Sequence, residues 1–476
     1  MRFSRVLPFL PLASAFVITD ADVFETLEKS GKRIIDKTQD VLDETRDVFD
    51  ETRDVLDEAF GNAIEGIKNV GENAYHKIHD AGCDVQSWLE GSSFEDPFVD
   101  LEDHPHHPPH GKPPHHKPPH KNPHHGRPHH PPHHGKPNLT VYEMISKSNY
   151  TTKLAKLIDE YPDLVETLNG TKANYTVFAP IDSAFEKIPK HGEKPSKEFI
   201  KNLLLYHVSE EFYPAGRVLH SYTIPTLLEP ENLGHKQRLT VRVTLRGPSI
   251  NFYSKIIAVN VFGTNGVIHG IDSILIPPPK VATIIDLLPG EFSTLELGLG
   301  KTGLFEKMNS SDYPHEGGTL FAPSNFAFKK LGPKINAFLF SKFGLKYLKA
   351  LLEYHMVVNQ TLYSDAFYDA TSEDAEMTAR PPHFHFDMPT VLDGKYLAVD
   401  VTRYGPFIAI RINGFARVTV HDGVASDGVI QVTSDVLIPP KNAGGEQSYW
   451  QGEEMSVEEF KERLEPFVED DENMEL

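Results

Sequence analysis

The feature that most constrains this 476-residue chain is an internal duplication in its C-terminal two thirds. Three blocks of sequence occur twice, in the same order, at offsets that grow from 143 to 162 residues. The paired blocks are residues 175–185 with 318–328, residues 203–208 with 351–356, and residues 266–277 with 428–439. A period near 150 residues is the size of a domain rather than of a solenoid repeat, so we expect two like-built domains.

Each copy combines strand patterns with a helix pattern. Its first block is a run of β-branched and aromatic residues that ends at a proline, followed closely by Asp182 or Asn325, which are good helix-capping types. Its second block closes a stretch with apolar residues at helical spacing. Its third block alternates apolar residues after a glycine turn and stops at a Pro-Pro pair, which is typical of a half-buried strand. Strands around a helical region predict an α+β fold.

These blocks resemble the three signatures of the fasciclin domain family, in the family's order and twice. The resemblance implies two tandem fasciclin-like domains, residues 138–279 and 280–440, each a β-sandwich-like wedge with packed helices. The motif residues, which we interpret as structural, are Phe178, Pro180, Tyr206, His207, Asp272, Phe321, Pro323, Tyr354, His355 and Asp435. Two positions depart from the family pattern: Ile181 replaces a small polar residue and weakens a turn cap, and Gln431 stands where the first copy has His269.

The resemblance also implies a function. Fasciclin proteins act in cell adhesion or in cell-surface and matrix contacts, so we expect a non-enzymatic protein without a cofactor that contacts protein or glycan surfaces outside the cytosol. Fungal members of similar layout are secreted, wall-associated or vacuolar. A vacuolar or endolysosomal factor in membrane traffic or fusion is therefore the alternative.

Three candidate sites have a competing structural interpretation. The pairs Tyr206-His207 and Tyr354-His355 suggest catalysis, but no nucleophile–base pattern accompanies them, so we favour anchors of a helix end. Ile271-Asp272 matches by type a pairing linked to integrin recognition in animal relatives, and we favour a strand-end hydrogen-bonding role for Asp272. His383-Phe384-His385 places two histidines on one strand face, which is too few for a zinc site.

The ends of the chain indicate a secretory route. Arg2, Arg5, a short apolar run and a small-residue stretch are typical of a signal peptide over residues 1–15. Acceptor patterns for N-glycosylation occur at Asn138, Asn149, Asn169, Asn174, Asn309 and Asn359. We expect a secreted or cell-wall protein, with the vacuole lumen as the alternative. A formal net charge of −21 argues against nucleic acid as a partner, and the lone Cys83 excludes an intramolecular disulfide.

Residues 16–100 carry a seven-residue repeat, clearest between residues 33 and 60, that predicts an amphipathic helix. The apolar stripe of such a helix needs a partner surface. We favour self-association through residues 30–70, or packing on the domains, over membrane contact, because the polar face of the helix is acidic.

Residues 101–137 form a His/Pro-rich linker, with 13 His and 12 Pro between residues 104 and 137. This composition predicts a disordered, extended spacer that holds the domains away from the N-terminal helical segment. Imidazole pairs can also ligate zinc, copper or nickel, which gives a third function, a metal-binding secreted protein; the alternative is a solvated linker that titrates between pH 7 and 5. The candidate ligands are His106, His107, His115, His116, His129 and His130.

Residues 441–476 form an acidic C-terminal tail with two interpretations. Met455, Phe460, Leu464 and Phe467 have the spacing of a short amphipathic helix that packs on the domains. Alternatively, the tail is disordered and docks the protonated His/Pro linker at low pH.

Overall fold

The structure, a computed structural model, describes residues 85–90, 138–170, 173–188, 195–244, 247–310, 315–371, 383–404, 407–443 and 446–468. The signal peptide, residues 30–70, the His/Pro linker and its six candidate metal ligands lie outside these ranges, so the expectations about them stay predictions. Within these ranges, no helix combines the length and apolar character needed to cross a membrane.

The first domain opens with short helices and continues into a sheet. The helices are α1 (Val85–Glu90), which precedes the His/Pro linker, α2 (Val141–Lys147), α3 (Thr152–Ile158), α4 (Pro162–Asn169), a 3₁₀ helix (Asp182–Lys187), α5 (Lys197–Tyr206) and α6 (Ala215–His220). The strands are β1 (Tyr175–Pro180), β2 (Val208–Ser209), β3 (Thr223–Pro225), β4 (Arg238–Thr244), β5 (Gly247–Ile250), β6 (Ser254–Gly263) and β7 (Gly266–Ile271).

The second domain repeats this order with longer strands. Its helices are α7 (Val281–Leu287), α8 (Pro289–Lys301), α9 (Leu304–Asn309), α10 (Asn325–Lys330), α11 (Pro333–Leu339), α12 (Leu345–Tyr354), α13 (Val457–Leu464) and a 3₁₀ helix (Glu465–Phe467). Its strands are β8 (Gly318–Pro323), β9 (Met356–Val358), β10 (Gln360–Leu362), β11 (Phe367–Asp369), β12 (His383–Pro389), β13 (Tyr396–Tyr404), β14 (Phe407–Ile412), β15 (Ala416–Ala425), β16 (Gly428–Thr433), β17 (Lys441–Ala443) and β18 (Glu446–Ser448).

Both domains are built on a nearly closed seven-stranded sheet with the same strand order. The order is β2-β1-β7-β6-β5-β4-β3 in domain 1 and β9-β8-β16-β15-β14-β13-β12 in domain 2. In each sheet, the strand of the first sequence block pairs in parallel with the strand of the third block. This register puts Phe178 opposite His269 and Phe321 opposite Gln431, so the two phenylalanines occupy matching places. The α+β class and the tandem duplication are confirmed.

Each domain has a core of its own. The apolar clusters of domain 1 are centred on Phe178 and on Val177, whereas Phe321 belongs to a separate cluster made of domain 2 residues. Helix α13 of the acidic tail adds Phe460 and Leu464, both fully buried, to the domain 2 cluster. The described part of the tail therefore packs on the second domain, in agreement with the amphipathic-helix interpretation.

The turns after β1 and β8 show what the departure at Ile181 does. In domain 2, the Ser324 hydroxyl accepts a hydrogen bond from Ala327 N at 3.2 Å and an α-helix follows. In domain 1, Ile181 provides no side-chain cap and a 3₁₀ helix follows. Asp182 and Asn325 do not cap these helices, contrary to the sequence-based expectation: Asp182 accepts from Lys153 N in α3 at 2.8 Å, and Asn325 accepts from Thr294 N in α8 at 2.9 Å.

Residues 85–90, which belong to the N-terminal segment expected to be held away from the domains, lie on domain 1. Helix α1 lies against domain 1, where Trp88 joins the apolar cluster of Val141 and Met144. The end of the N-terminal segment nearest the linker is therefore in contact with domain 1, because an apolar surface of that domain covers the indole.

Candidate functional site

The Tyr-His pair of domain 1 lies at the C-terminal end of α5 and is fully buried. His207 Nε2 accepts a hydrogen bond from Leu275 N at 2.9 Å, so the ring is neutral and Nδ1 donates to Leu203 O at 2.7 Å. Burial lowers the pKa of His207 to about 4. The Tyr206 hydroxyl donates to Arg238 O at 3.1 Å and accepts from Asn251 Nδ2 at 2.9 Å.

Domain 2 repeats this arrangement at the end of α12. His355 Nε2 accepts from Leu437 N at 2.8 Å, and its Nδ1 lies 2.8 Å from Leu351 O. The Tyr354 hydroxyl accepts from Asn413 Nδ2 at 3.0 Å. In both copies, the imidazole ties the helix end to the segment after the last sheet strand. This geometry supports the anchor interpretation, because every polar atom of the pair already has an internal partner.

The buried asparagines that meet these tyrosines are structural residues that the sequence reasoning missed. Asn251 and Asn413 both have left-handed backbones, with φ of 51° and 53°. Their side-chain oxygens accept from Thr240 N and Ala398 N at 2.9 and 3.1 Å. The sequence did contain a signal for them, because Asn251 and Asn413 are separated by 162 residues, the same offset as the two copies of the third block.

The substitution of His269 by Gln431 preserves the hydrogen bonds at this position. His269 Nε2 lies 2.8 Å from Tyr213 O, and its Nδ1 accepts from Asn260 N at 3.4 Å. Gln431 Nε2 donates to Leu362 O at 2.7 Å, and its Oε1 accepts from Asp422 N at 3.2 Å. Both side chains link one carbonyl and one amide; only the histidine can titrate, and burial lowers its pKa to about 4.

The aspartates at the ends of β7 and β16 are paired within their own domain. Asp272 Oδ1 accepts from Lys255 N at 2.9 Å, and its Oδ2 lies 3.1 Å from Lys187 Nζ. Asp435 Oδ1 lies 3.1 Å from Lys330 Nζ, the matching lysine of domain 2. The two copies thus use the carboxylate to fasten the helix after the first strand to the end of the last strand.

A polar seam joins the two domains, beginning at Asp365 in the loop between β10 and β11. Its carboxylate accepts from Tyr222 N at 3.1 Å and from Thr223 N at 2.8 Å, which are amides at the β3 edge of the first sheet. Arg238 Nη2 lies 3.7 Å from the same carboxylate, and Arg238 Nη1 donates to Tyr368 OH at 3.0 Å. Asp365 therefore covers a sheet edge that would otherwise expose unpaired amides.

The seam continues at His421 and Asp422 in β15. Arg242 Nη1 of domain 1 donates to His421 Nε2 at 2.9 Å, so the imidazole is neutral and its Nδ1 donates to Asp422 Oδ2 at 2.7 Å. Burial and the Arg242 charge lower the pKa of His421. Burial alone would raise the pKa of Asp422, but His421 and Arg242 outweigh it and hold that pKa well below its usual range. Thr240 Oγ1 adds a hydrogen bond of 2.9 Å to Asp422 O.

Comparison with known proteins decides the family of the chain. The fasciclin domain model matches residues 149–277 and 290–439, together more than half of the chain. The chain belongs to the fasciclin domain family. Both matched segments lie inside the two domain ranges expected from the duplication.

Relatives of this fasciclin protein differ in how much of their length it spans. It is 28% identical over 358 residues to aurofusarin biosynthesis cluster protein S of Gibberella zeae, which covers 70% of this chain and 87% of that protein. It is 26% identical over 218 residues to fasciclin-1 of Schistocerca americana, covering 44% of this chain and 32% of that protein. A solved FAS1 domain pair from the insect cell adhesion molecule fasciclin I covers 60% of this chain and 96% of that one, at 18% identity and a TM-score of 0.30.

Five of the six glycosylation acceptors in the fasciclin protein are exposed. The exposed ones are Asn138, Asn149, Asn169, Asn174 and Asn309. Asn359 is half-buried with φ of 62°, and its side-chain oxygen accepts from Glu316 N at 3.0 Å. We therefore predict that Asn359 is the poorest acceptor of the set.

The two histidines of the edge strand β12 are exposed, as expected for one strand face. His385 Nδ1 lies 2.8 Å from Asp400 Oδ1, and this hydrogen bond raises the pKa of His385. His383 Nδ1 lies 3.1 Å from Thr402 Oγ1. No group of three metal-ligating side chains occurs in the part of the chain that the structure describes.

The domain seam had no clear signal in the sequence. Arg238 and Arg242 interrupt or flank an alternating apolar strand, and such residues ordinarily face solvent. Their partners are more than one hundred residues away in the other domain, so only the folded chain brings them together.

Proposed function

We propose that this fasciclin protein is a secreted or lumenal, non-enzymatic protein that mediates adhesion or cell-surface and matrix contacts through protein or glycan surfaces. The observation that carries the proposal is the seam, which joins the two domains through Asp365, Arg238, Arg242 and His421. Two domains held as one unit present a single large surface without the ordering cost of two flexibly linked modules. Membership of the fasciclin domain family, whose proteins act in adhesion, supports the same proposal.

Exposed aromatic side chains are candidates for the surface that contacts a partner, and they allow the proposal to be tested by mutation. Phe343, between α11 and α12, is 79% exposed, and Phe326 in α10 is 53% exposed. Large aromatic residues dominate contact energies when a partner buries them. We expect Phe343→Ser to weaken retention of the purified protein on isolated cell-wall or matrix material at least severalfold. Lys342→Ala is the matched control, since it changes a neighbouring charged residue. Absence of any retention of the unaltered protein contradicts the proposal.

The cellular location of the protein distinguishes a role in adhesion from the vacuolar or endolysosomal alternative. A lumenal role in membrane traffic is supported by buried neutral histidines such as His207 and His421, which bind protons only at acidic pH. Fractionation of a tagged full chain distinguishes the two: medium or wall supports adhesion, and vacuole supports the alternative.

A second candidate function follows from the relative in a pigment gene cluster. Because 87% of aurofusarin biosynthesis cluster protein S aligns with this chain, an accessory role in the production of a secreted metabolite is a specific alternative. Deletion of the encoding gene and comparison of pigment and metabolite extracts tests it. An unchanged extract profile contradicts this role.

Metal binding by the His/Pro linker remains a further prediction. The experiment is a nickel or zinc titration of the full chain, with replacement of the six candidate histidines by alanine as the control. We expect that affinity tighter than micromolar, if it depends on those histidines, would establish a metal site there.

A further inference from the structure

The residues that precede the His/Pro linker are held on domain 1 by specific contacts. Trp88 of α1 is fully buried, and its carbonyl accepts from Ser148 Oγ at 2.7 Å. Leu89 O accepts from Asn149 N at 3.2 Å, and the Trp88 and Tyr150 ring centroids are 6.3 Å apart. A six-residue helix is not stable in isolation, so α1 depends on the surface beneath it.

Two small residues shape that surface for an indole. Gly270 in β7 lies directly opposite Ala258 in β6 across the strand pair. A Cβ atom at position 270 would lie 2.9 Å from Trp88 Cζ3 and 3.0 Å from Ala258 Cβ. These distances are shorter than ordinary carbon contacts, so a larger residue at 270 would displace the indole.

Domain 2 provides an internal comparison for this pair. The matching residues there are Val420 and Val432, which are also directly opposite each other. Each carries bulk where domain 1 has only a hydrogen or a methyl group. The duplication has therefore kept the strand pair and differs at the two residues that make room for Trp88.

We propose that Gly270 and Ala258 form a docking slot on domain 1 for the chain's own N-terminal region, with Trp88 as its anchor. Residues 91–137 then leave domain 1 at Glu90 and return to it at Asn138, so the His-rich stretch is attached to one domain at both ends. A connection of this length keeps the anchor at an effective concentration on the order of millimolar. At micromolar protein concentration, the slot is therefore filled by Trp88 of the same chain rather than by Trp88 of a second copy.

Cleavage of the connection tests the proposal in the full chain. A protease site is inserted between residues 110 and 120, and the cleaved protein is passed over a sizing column with light scattering. At micromolar concentration, we expect the fragment that carries Trp88 to co-elute with one copy of the fragment that carries the two domains. Trp88→Ala leaves the slot unchanged and should weaken rebinding of the fragment at least tenfold.

A second variant probes the slot instead of the anchor. Gly270→Val introduces the residue that domain 2 carries and should also release the fragment; circular dichroism shows whether it folds, and Ala258→Val is the milder replacement. Lys147→Ala, a change at the exposed end of α2, is the control that should retain it. Three outcomes overturn the proposal. The unaltered fragments separate at micromolar concentration, their association is insensitive to Trp88→Ala, or the complex contains two copies of the two-domain fragment.

Discussion

His269 gives the two domains different responses to acid. It is buried beside Phe178, with ring centroids 5.6 Å apart, and its pKa is lowered from 6.5 to about 4. As pH falls below 6.5, the unfolded chain takes up a proton at this residue while the folded chain does not. Stability contributed by the neutral ring is therefore complete above pH 6.5 and is lost as pH falls toward 4.

The size of the effect follows from the two pKa values. One pKa unit corresponds to about 1.4 kcal/mol, so the full difference is about 3 kcal/mol below pH 4. At pH 5, where the unfolded histidine is already charged, the loss is about 2 kcal/mol relative to pH 7.5. For a domain of this size, that corresponds to a fall in Tm of about 4–8 °C.

We predict that His269→Gln removes this part of the acid response. Gln431 shows that a glutamine at this position can donate to a carbonyl and accept from an amide, as the histidine does. The variant loses the contact between the imidazole and Phe178 at every pH, which costs about 1 kcal/mol. Its free energy of unfolding should nevertheless change less between pH 7.5 and 5, by about 2 kcal/mol, than that of the unaltered protein.

The measurement is urea unfolding of the full chain at both pH values, followed by circular dichroism. Hydrogen exchange in peptides from β6 and β7 assigns the transition to domain 1. His220→Gln, the same substitution at an exposed position of the same domain, is the matched control. Equal pH dependence of the unaltered protein and His269→Gln would refute the reasoning, because it would mean that the buried ring is not the group that takes up the proton.

Three further predictions concern the seam and the anchors. Asp365→Ala should lower the free energy of unfolding by about 3 kcal/mol, because it removes the carboxylate that lies beside the buried Arg238 guanidinium, and should broaden the interdomain distances measured by small-angle scattering. Tyr206→Phe should lower the free energy of unfolding by about 1–2 kcal/mol in urea, since it leaves the Asn251 amide without its acceptor. Lys187→Met should change it by less than about 0.5 kcal/mol in the same assay, because its ion pair with Asp272 is largely exposed.

Much of the fold could be predicted from the sequence, because the first and third duplicated blocks coincide with the buried strands that pair in parallel in each sheet. The Phe178 and Phe321 strands, and the apolar face of α13, have the periodicities that burial imposes. The weakened turn cap at Ile181 could also be predicted, because an aliphatic side chain cannot accept the hydrogen bond that the Ser324 hydroxyl accepts in domain 2.

The remaining contacts depend on positions that periodicity does not encode. Asp365 is an ordinary loop residue in the sequence, and its role as a cover for the β3 edge depends on how one domain meets the other. Trp88 lies far from the blocks and is separated from its slot by the His/Pro linker. The small residue at 270 reads as part of an apolar strand, and only the indole above it explains why it is glycine.

Two neighbouring residues of β7 distinguish domain 1 from domain 2. Domain 1 carries the titratable His269 and the slot built from Gly270, whereas domain 2 has Gln431 and Val432 at the same places. The two residues are neighbours in each strand, at positions 269 and 270 of β7 and 431 and 432 of β16. The two strands pair in the same register but differ at these two side chains. The acid response of His269 and the attachment of Trp88 are therefore properties of domain 1 that its duplicate does not share.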